Sequence, residues 1–104
     1  MSRERICGTV DVPDGEARRF VLGRTAIAVV HLGEDWYAIG DRCTHQDVSL
    51  AEGEIYPESL EIECWKHGSC FSLKTGEPNV LPATKPTPVF TVAVQGDDVL
   101  VEVD

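Results

Sequence analysis

The chain has 104 residues, the length of one ordinary domain, and 42% apolar types, enough for a modest core. Nine Lys and Arg against 18 Asp and Glu leave a net charge of −9, which speaks against binding nucleic acid or an anionic membrane surface, since both call for cations. The longest apolar run, Ala26 to Val30, is five residues against the roughly 18 of a bilayer span, so no transmembrane helix is expected.

From the start of the chain, Met1-Ser2-Arg3-Glu4-Arg5 leads into only two apolar residues before Gly8. That is not the apolar stretch of a secretory signal. A cytoplasmic protein with reduced thiols is expected, and its four cysteines read as metal or redox groups in preference to a disulfide framework. Arg5 to Val10 and Ala17 to Leu22 are predicted strands, parted by the turn-forming Pro13-Asp14-Gly15. Thr25 to Leu32 and Trp36 to Ile39 form a hairpin about Gly33-Glu34-Asp35. Val89 to Val94 and Val99 to Val103 form a closing hairpin about Gly96-Asp97-Asp98, with Phe90, Val92 and Val94 facing a core. Val occurs 13 times, Thr 7 and Ile 5, and these β-branched types favour strands. No sustained helical period appears, so the chain is read as one all-β domain over residues 1–104, a β-sandwich or small barrel.

Asp41 to Ser69 breaks that pattern, apart from a short predicted strand at Leu60 to Glu63. A long irregular stretch inside a compact domain tends to be functional. It contains Cys43-Thr44-His45 and Cys64-Trp65-Lys66-His67, with 18 residues between them. Two close Cys/His pairs on separate segments suit a metal site, because two short loops can converge on one centre. Structural zinc accepts two Cys and two His, but common zinc modules pair like with like, Cys with Cys and His with His. The order Cys, His, Cys, His with a tight Cys-x-His suits a two-iron cluster: each loop sends its Cys to one iron and its His to the other. Zinc stays open on spacing alone.

At these residues the sequence resembles the Rieske-type ferredoxin family, the oxygenase ferredoxin components, whose pattern is Cys-x-His followed by Cys-x-x-His. Cys43, His45, Cys64 and His67 match it position by position. The likeness continues through His67-Gly68-Ser69, Phe71, Thr75-Gly76 and Leu81-Pro82-Ala83. It implies a Rieske-like antiparallel β-sandwich with a two-loop cluster-binding subdomain, the loops at about 41–50 and 62–71, and one [2Fe–2S] cluster. Cys43 and Cys64 would hold the inner iron, His45 and His67 the outer iron nearer solvent. Two ferric ions and two sulfides leave two positive charges, which two thiolates cancel, so the oxidised core is formally neutral and easier to reduce than an all-cysteine centre. Rieske centres accordingly span roughly −150 to +300 mV against about −400 mV for plant-type ferredoxins. High-potential members carry an extra disulfide, at positions corresponding here to about Asp47 and to Lys66, together with Ser and Tyr hydroxyl donors. Ser69 stands at the serine position but Phe71 replaces the tyrosine, so the lower part of that range is expected.

The resemblance further implies a soluble one-electron carrier, with no catalytic site of its own. It would be served by a flavin-dependent reductase and would deliver to the terminal subunit of an aromatic-ring oxygenase. Ser49-Leu50-Ala51-Glu52-Gly53-Glu54 and Ile62-Glu63-Cys64-Trp65 also look like Rieske proteins associated with iron–sulfur assembly machinery, and a nitrite reductase small subunit is a further alternative. Between the ligand pairs, Asp47, Glu52, Glu54, Glu58, Glu61 and Glu63 stand with no Lys or Arg, a composition suited to steering toward a basic docking site. Trp65 is expected to shield the cluster or pack, Cys7 and Cys70 to be bystander thiols, His31 to be a surface histidine, and Pro82 to limit water access.

Overall fold

The computed structural model describes residues 2–41, 49–65, 68–78 and 87–103. Its central strand explains the one apolar run. In β3, Thr25–Leu32, the side chains of Ile27 and Val29 point to one face of the sheet and those of Ala28 and Val30 to the other, and all four are fully buried. A strand covered on both faces reads as continuous apolar sequence, not as alternation.

β3 pairs antiparallel with β2, Glu16–Leu22, and with β4, Asp35–Gly40. The short β8, Val89–Phe90, adds to β4 and completes a four-stranded sheet, β2-β3-β4-β8. A second sheet has the order β1-β10-β9, from Ser2–Gly8, Asp98–Val103 and Val92–Gln95. Cys7, Val12, Ile27, Val29, Ala38, Val99 and Val101 form the core that it shares with the four-stranded sheet. The opposite face of the four-stranded sheet carries a third sheet, β5-β6-β7, made of Ile55–Tyr56, Glu61–Glu63 and Cys70–Ser72. There Ala17, Ala28, Val30 and Ile39 meet Leu50, Ile62, Cys64, Phe71 and Leu73. Each fully buried Val, Leu, Ile or Phe in these layers contributes roughly 1.5–3 kcal/mol. The all-β, antiparallel expectation is met, with the third sheet as an added layer.

Several strands differ from their sequence reading. Val89 to Val94 is not one strand: Val89–Phe90 pairs in one sheet and Val92–Gln95 in another. The chain changes sheets at Thr91, whose carbonyl accepts from the Glu102 N–H at 2.9 Å. Phe90 and Val92 pack on the core, but Val94, opposite Val99 on an edge strand, is 43% exposed. β1 stops at Gly8, and Thr9–Asp11 forms a 3₁₀ turn that leaves Val10 exposed. Leu60 belongs to a turn with φ of +55°, so β6 begins one residue later than expected. Among the described residues no helix is long and apolar enough to cross a membrane.

Candidate metal centre

The two loops bearing the Cys/His pairs leave different sheets, the first from β4 of the four-stranded sheet and the second from β6 of the third sheet. The second is the tip of the β6–β7 hairpin, whose register pairs Ile62 with Phe71 and Glu63 with Cys70. At its mouth the Cys64 N–H donates to the Ser69 carbonyl at 2.6 Å, and the Gly68 N–H donates to the Cys64 carbonyl at 2.8 Å. Gly68 closes this turn at φ of +78°, a left-handed conformation that suits a residue without Cβ. Cys64 and Ser69 are completely buried, whereas Trp65, between them in sequence, is 53% exposed. The Trp65 indole is thus half presented to solvent and does not pack away into the core.

The first loop begins at Asp41, directly after β4, and returns at Ser49. Its two ends are tied together, because the Leu50 N–H donates to the Asp41 carbonyl at 2.7 Å. The Asp41 carboxylate, 2% exposed, accepts from Ser49 Oγ at 2.6 Å and from the Ala51 N–H at 2.8 Å, and Arg19 Nε lies 3.1 Å from it. Leu50 then enters the same apolar cluster as Cys64 and Phe71. The chain next passes close under the hairpin: the Glu63 N–H donates to the Glu54 carbonyl at 2.8 Å, and a Cβ on Gly53 would lie 1.6 Å from the Glu63 carbonyl oxygen. A third connection is anchored by Thr87, whose N–H donates to the Gly76 carbonyl at 2.8 Å and whose hydroxyl donates to the Gly40 carbonyl at 3.2 Å.

Of the four residues read as ligands, Cys64 is placed, buried at the hairpin mouth. Cys43, His45 and His67 lie outside the described residues, as do Asp47, Lys66 and Leu81-Pro82-Ala83. Among the described residues no group of three or more His, Cys, Asp or Glu is arranged to hold a metal ion. Cys64 stands at the turn where the second pair begins, buried in the apolar cluster with Leu50 and Phe71. The bystander cysteines have other settings. Burial, then Asp11, pushes the Cys7 thiol up to about 11 in the sandwich core. Cys70 is half-buried beside the Gly68 carbonyl, and burial followed by Glu63 and Glu61 raises its thiol.

His31 is no ligand. It stacks on Trp36 with ring centroids 4.0 Å apart, and its ring nitrogens lie 2.9 Å from the Val12 carbonyl and 2.7 Å from the Gly33 carbonyl. In the acidic segment Glu52, Glu54 and Glu58 are exposed, while Glu61 and Glu63 are half-buried. The Tyr56 hydroxyl donates between Glu63 Oε1 at 3.2 Å and Glu54 Oε2 at 3.3 Å; desolvation, then the bond to Glu63, pushes it up to about 12. Sequence reasoning missed Asp41 and Thr87. For Asp41 a signal was present, an acid two residues before the first ligand pair. Thr87 has no local signal, since its role depends on partners far away in sequence.

The fold is an antiparallel sandwich with a third small sheet, whose β6–β7 hairpin carries the buried Cys64. Residues 2–91 match the model of the Rieske [2Fe–2S] domain, and the chain belongs to that family. The 3-phenylpropionate/cinnamic acid dioxygenase ferredoxin subunit of Escherichia coli (strain K12) is 39% identical over 98% of this chain and 94% of its own length. The ferredoxin of carbazole 1,9a-dioxygenase from Nocardioides aromaticivorans IC177 superposes with a TM-score of 0.91 at 33% identity, over 97% of both chains. A chain from the complex of reduced oxygenase and oxidized ferredoxin in carbazole 1,9a-dioxygenase gives 0.84 at 37% identity, over 95% of this chain and 91% of that one. The cofactor is thus a [2Fe–2S] cluster, zinc is set aside, and the protein is an electron carrier.

Proposed function

We propose that this chain is the ferredoxin component of an aromatic-ring oxygenase system in the cytoplasm. It takes single electrons from a flavin-dependent reductase and delivers them to a terminal oxygenase. Cys43 and Cys64 hold the inner iron of the cluster, and His45 and His67 hold the outer one, with the ligand loops at about 41–50 and 62–71 of a single domain. The observation that carries this reading is the likeness, along almost the whole chain, to ferredoxins named as parts of dioxygenases. The buried Cys64 supports the inner-iron assignment, because an inner ligand belongs on the side away from solvent.

Bound there, the cluster supplies a one-electron redox couple. The protein's part is to hold it and to set its surroundings. Imidazoles on the outer iron would offer an exit for the electron, because the ring nitrogen that the iron leaves free can hydrogen-bond to water or to a partner. Phe71 is fully buried in the layer beneath the loops and offers no hydroxyl. The midpoint is therefore expected in the lower part of the roughly −150 to +300 mV span of Rieske centres, and voltammetry giving a value well above zero contradicts this.

The test has two arms. Electron paramagnetic resonance of the dithionite-reduced protein is expected to show a histidine-ligated cluster, and an all-cysteine signal overturns the ligand assignment. Mixed with a flavin-dependent reductase and a terminal aromatic-ring oxygenase, the protein is expected to restore turnover that depends on its concentration. Failure to be oxidised by any such oxygenase overturns the partner assignment.

A further inference from the structure

Asp41 is the one charged side chain among the described residues that is buried, at 2% exposure. A carboxylate taken from water is costly unless donors surround it, and its three donors border the first ligand loop. Ser49 Oγ at 2.6 Å and the Ala51 N–H at 2.8 Å come from the returning end of that loop. Arg19 Nε, 3.1 Å away, comes from β2 with its side chain 55% exposed. The main chain repeats the pattern, with Asp41 N–H donating to the Ala26 carbonyl at 3.0 Å and Leu50 N–H to the Asp41 carbonyl at 2.7 Å. Asp41 thereby joins both ends of the loop to the four-stranded sheet.

We propose that Asp41 and Arg19 are a positioning pair for the redox centre, fixing the neck from which Cys43 and His45 reach the cluster and setting part of the charge that the cluster experiences. The inference rests on Cys43 and His45 being ligands. Two peptide units span at most about 7 Å between Cα atoms, so Asp41 cannot lie far from the Cys43 backbone. A buried negative charge so near a ligand's backbone opposes the arrival of an electron at the centre that the ligand holds, and in a poorly screened interior the effect outlasts salt. Arg19, standing at the solvent boundary, offsets it in part.

The two residues should therefore act on the potential in opposite directions. Asp41→Asn keeps the shape and an oxygen for the Ala51 N–H, but loses the charge and turns an amide donor toward Arg19 or Ser49. Its midpoint is expected to rise. Arg19→Gln, at an exposed position that threatens no core packing, leaves the carboxylate uncompensated, and its midpoint is expected to fall. Cluster loss to an iron chelator, followed by the decay of visible absorbance, should speed up about tenfold in the first variant and about threefold in the second. Opposite shifts of the midpoint support the pair, because a merely structural clasp would not give them a sign. Unchanged midpoints, or shifts in the same direction, overturn it. Should Asp41→Asn take up no cluster, the midpoint of Arg19→Gln alone decides by the same sign. If His45→Ala keeps the parent optical spectrum and iron content, the ligand reading fails. If that variant loses its cluster while the pair variants behave as the parent, only the present inference fails.

Discussion

The two ligand loops are closed by different means. The second is a hairpin tip, closed by main-chain bonds from Cys64 and Gly68 that any side chains at those positions would leave in place, provided the left-handed turn survives. The first joins β4 to the 3₁₀ turn Leu50–Glu52 and is closed by a main-chain bond, Leu50 N–H to the Asp41 carbonyl, and in addition by the buried Asp41 carboxylate. Main-chain closure is sensitive to sterics and φ, whereas the added carboxylate makes the first loop sensitive to charge as well. The two closures can therefore be disturbed separately.

The largest effect is expected where the loops are equal. On the proposed ligand set, His45→Ala and His67→Ala would each remove one imidazole from the outer iron, and both should lose the visible absorbance and the iron of the parent protein. Spectra and iron analysis of the purified variants check this. One variant keeping the parent spectrum would mean that the loops are not equivalent as ligand donors.

The next effect tests where the loops meet. Gly53 carries the chain from the first loop to β5, and a Cβ there would overlap the Glu63 carbonyl oxygen of β6 at 1.6 Å. The obstacle is backbone and cannot swing aside. Gly53→Ala is expected to cost about 3 kcal/mol or more, read from the denaturant midpoint of the cluster-loaded protein. A loss of only about 0.5 kcal/mol would show that the third sheet gives way easily, and would weaken the picture of a close fit between Gly53 and β6.

Both Cys/His pairs stood out equally in the sequence, and of their four residues only Cys64 lies among those the structure describes. The β-branched strands could be read because they depend on local pattern: alternation for β10, a continuous run for the doubly covered β3. The break at Thr91 could not, because Val89 to Val94 alternates cleanly through a residue where the chain changes sheets. Nor could the strands at Ile55–Tyr56 and Cys70–Ser72, which are short and paired only within a small sheet whose Ile62 and Phe71 face the core shared with the four-stranded sheet. Asp41 looked like the first residue of an irregular stretch. Its burial depends on Arg19 and Ser49, and no local window contains both.

The cysteines extend the contrast to pH. Cys64 sits beneath the loops, while Cys7 sits in the sandwich core on the other side of β3, its thiol pushed up to about 11 from the ordinary 9.0. The folded state then holds that proton to higher pH than the unfolded chain. The resulting stability is complete below pH 9 and is lost as pH rises through about 11. Its full size is on the order of 2 kcal/mol. Denaturant titrations of the parent and of Cys7→Ala between neutral and strongly alkaline pH should diverge in slope across that window. Parallel curves would mean that Cys7 is not what limits alkaline stability.

The smallest effect concerns what the loops present and not how they are held. Glu52 and Glu54 are exposed on the segment between them. Reversing both, as Glu52→Lys with Glu54→Lys, should leave the optical spectrum unchanged and slow electron delivery to a basic docking site by about threefold at low salt. The difference should vanish as added salt shortens the Debye length below about 8 Å. Stopped-flow rates against ionic strength check both points. An unchanged salt slope would mean that these carboxylates are merely solvated, and that recognition depends on the exposed indole and the ligand loops alone.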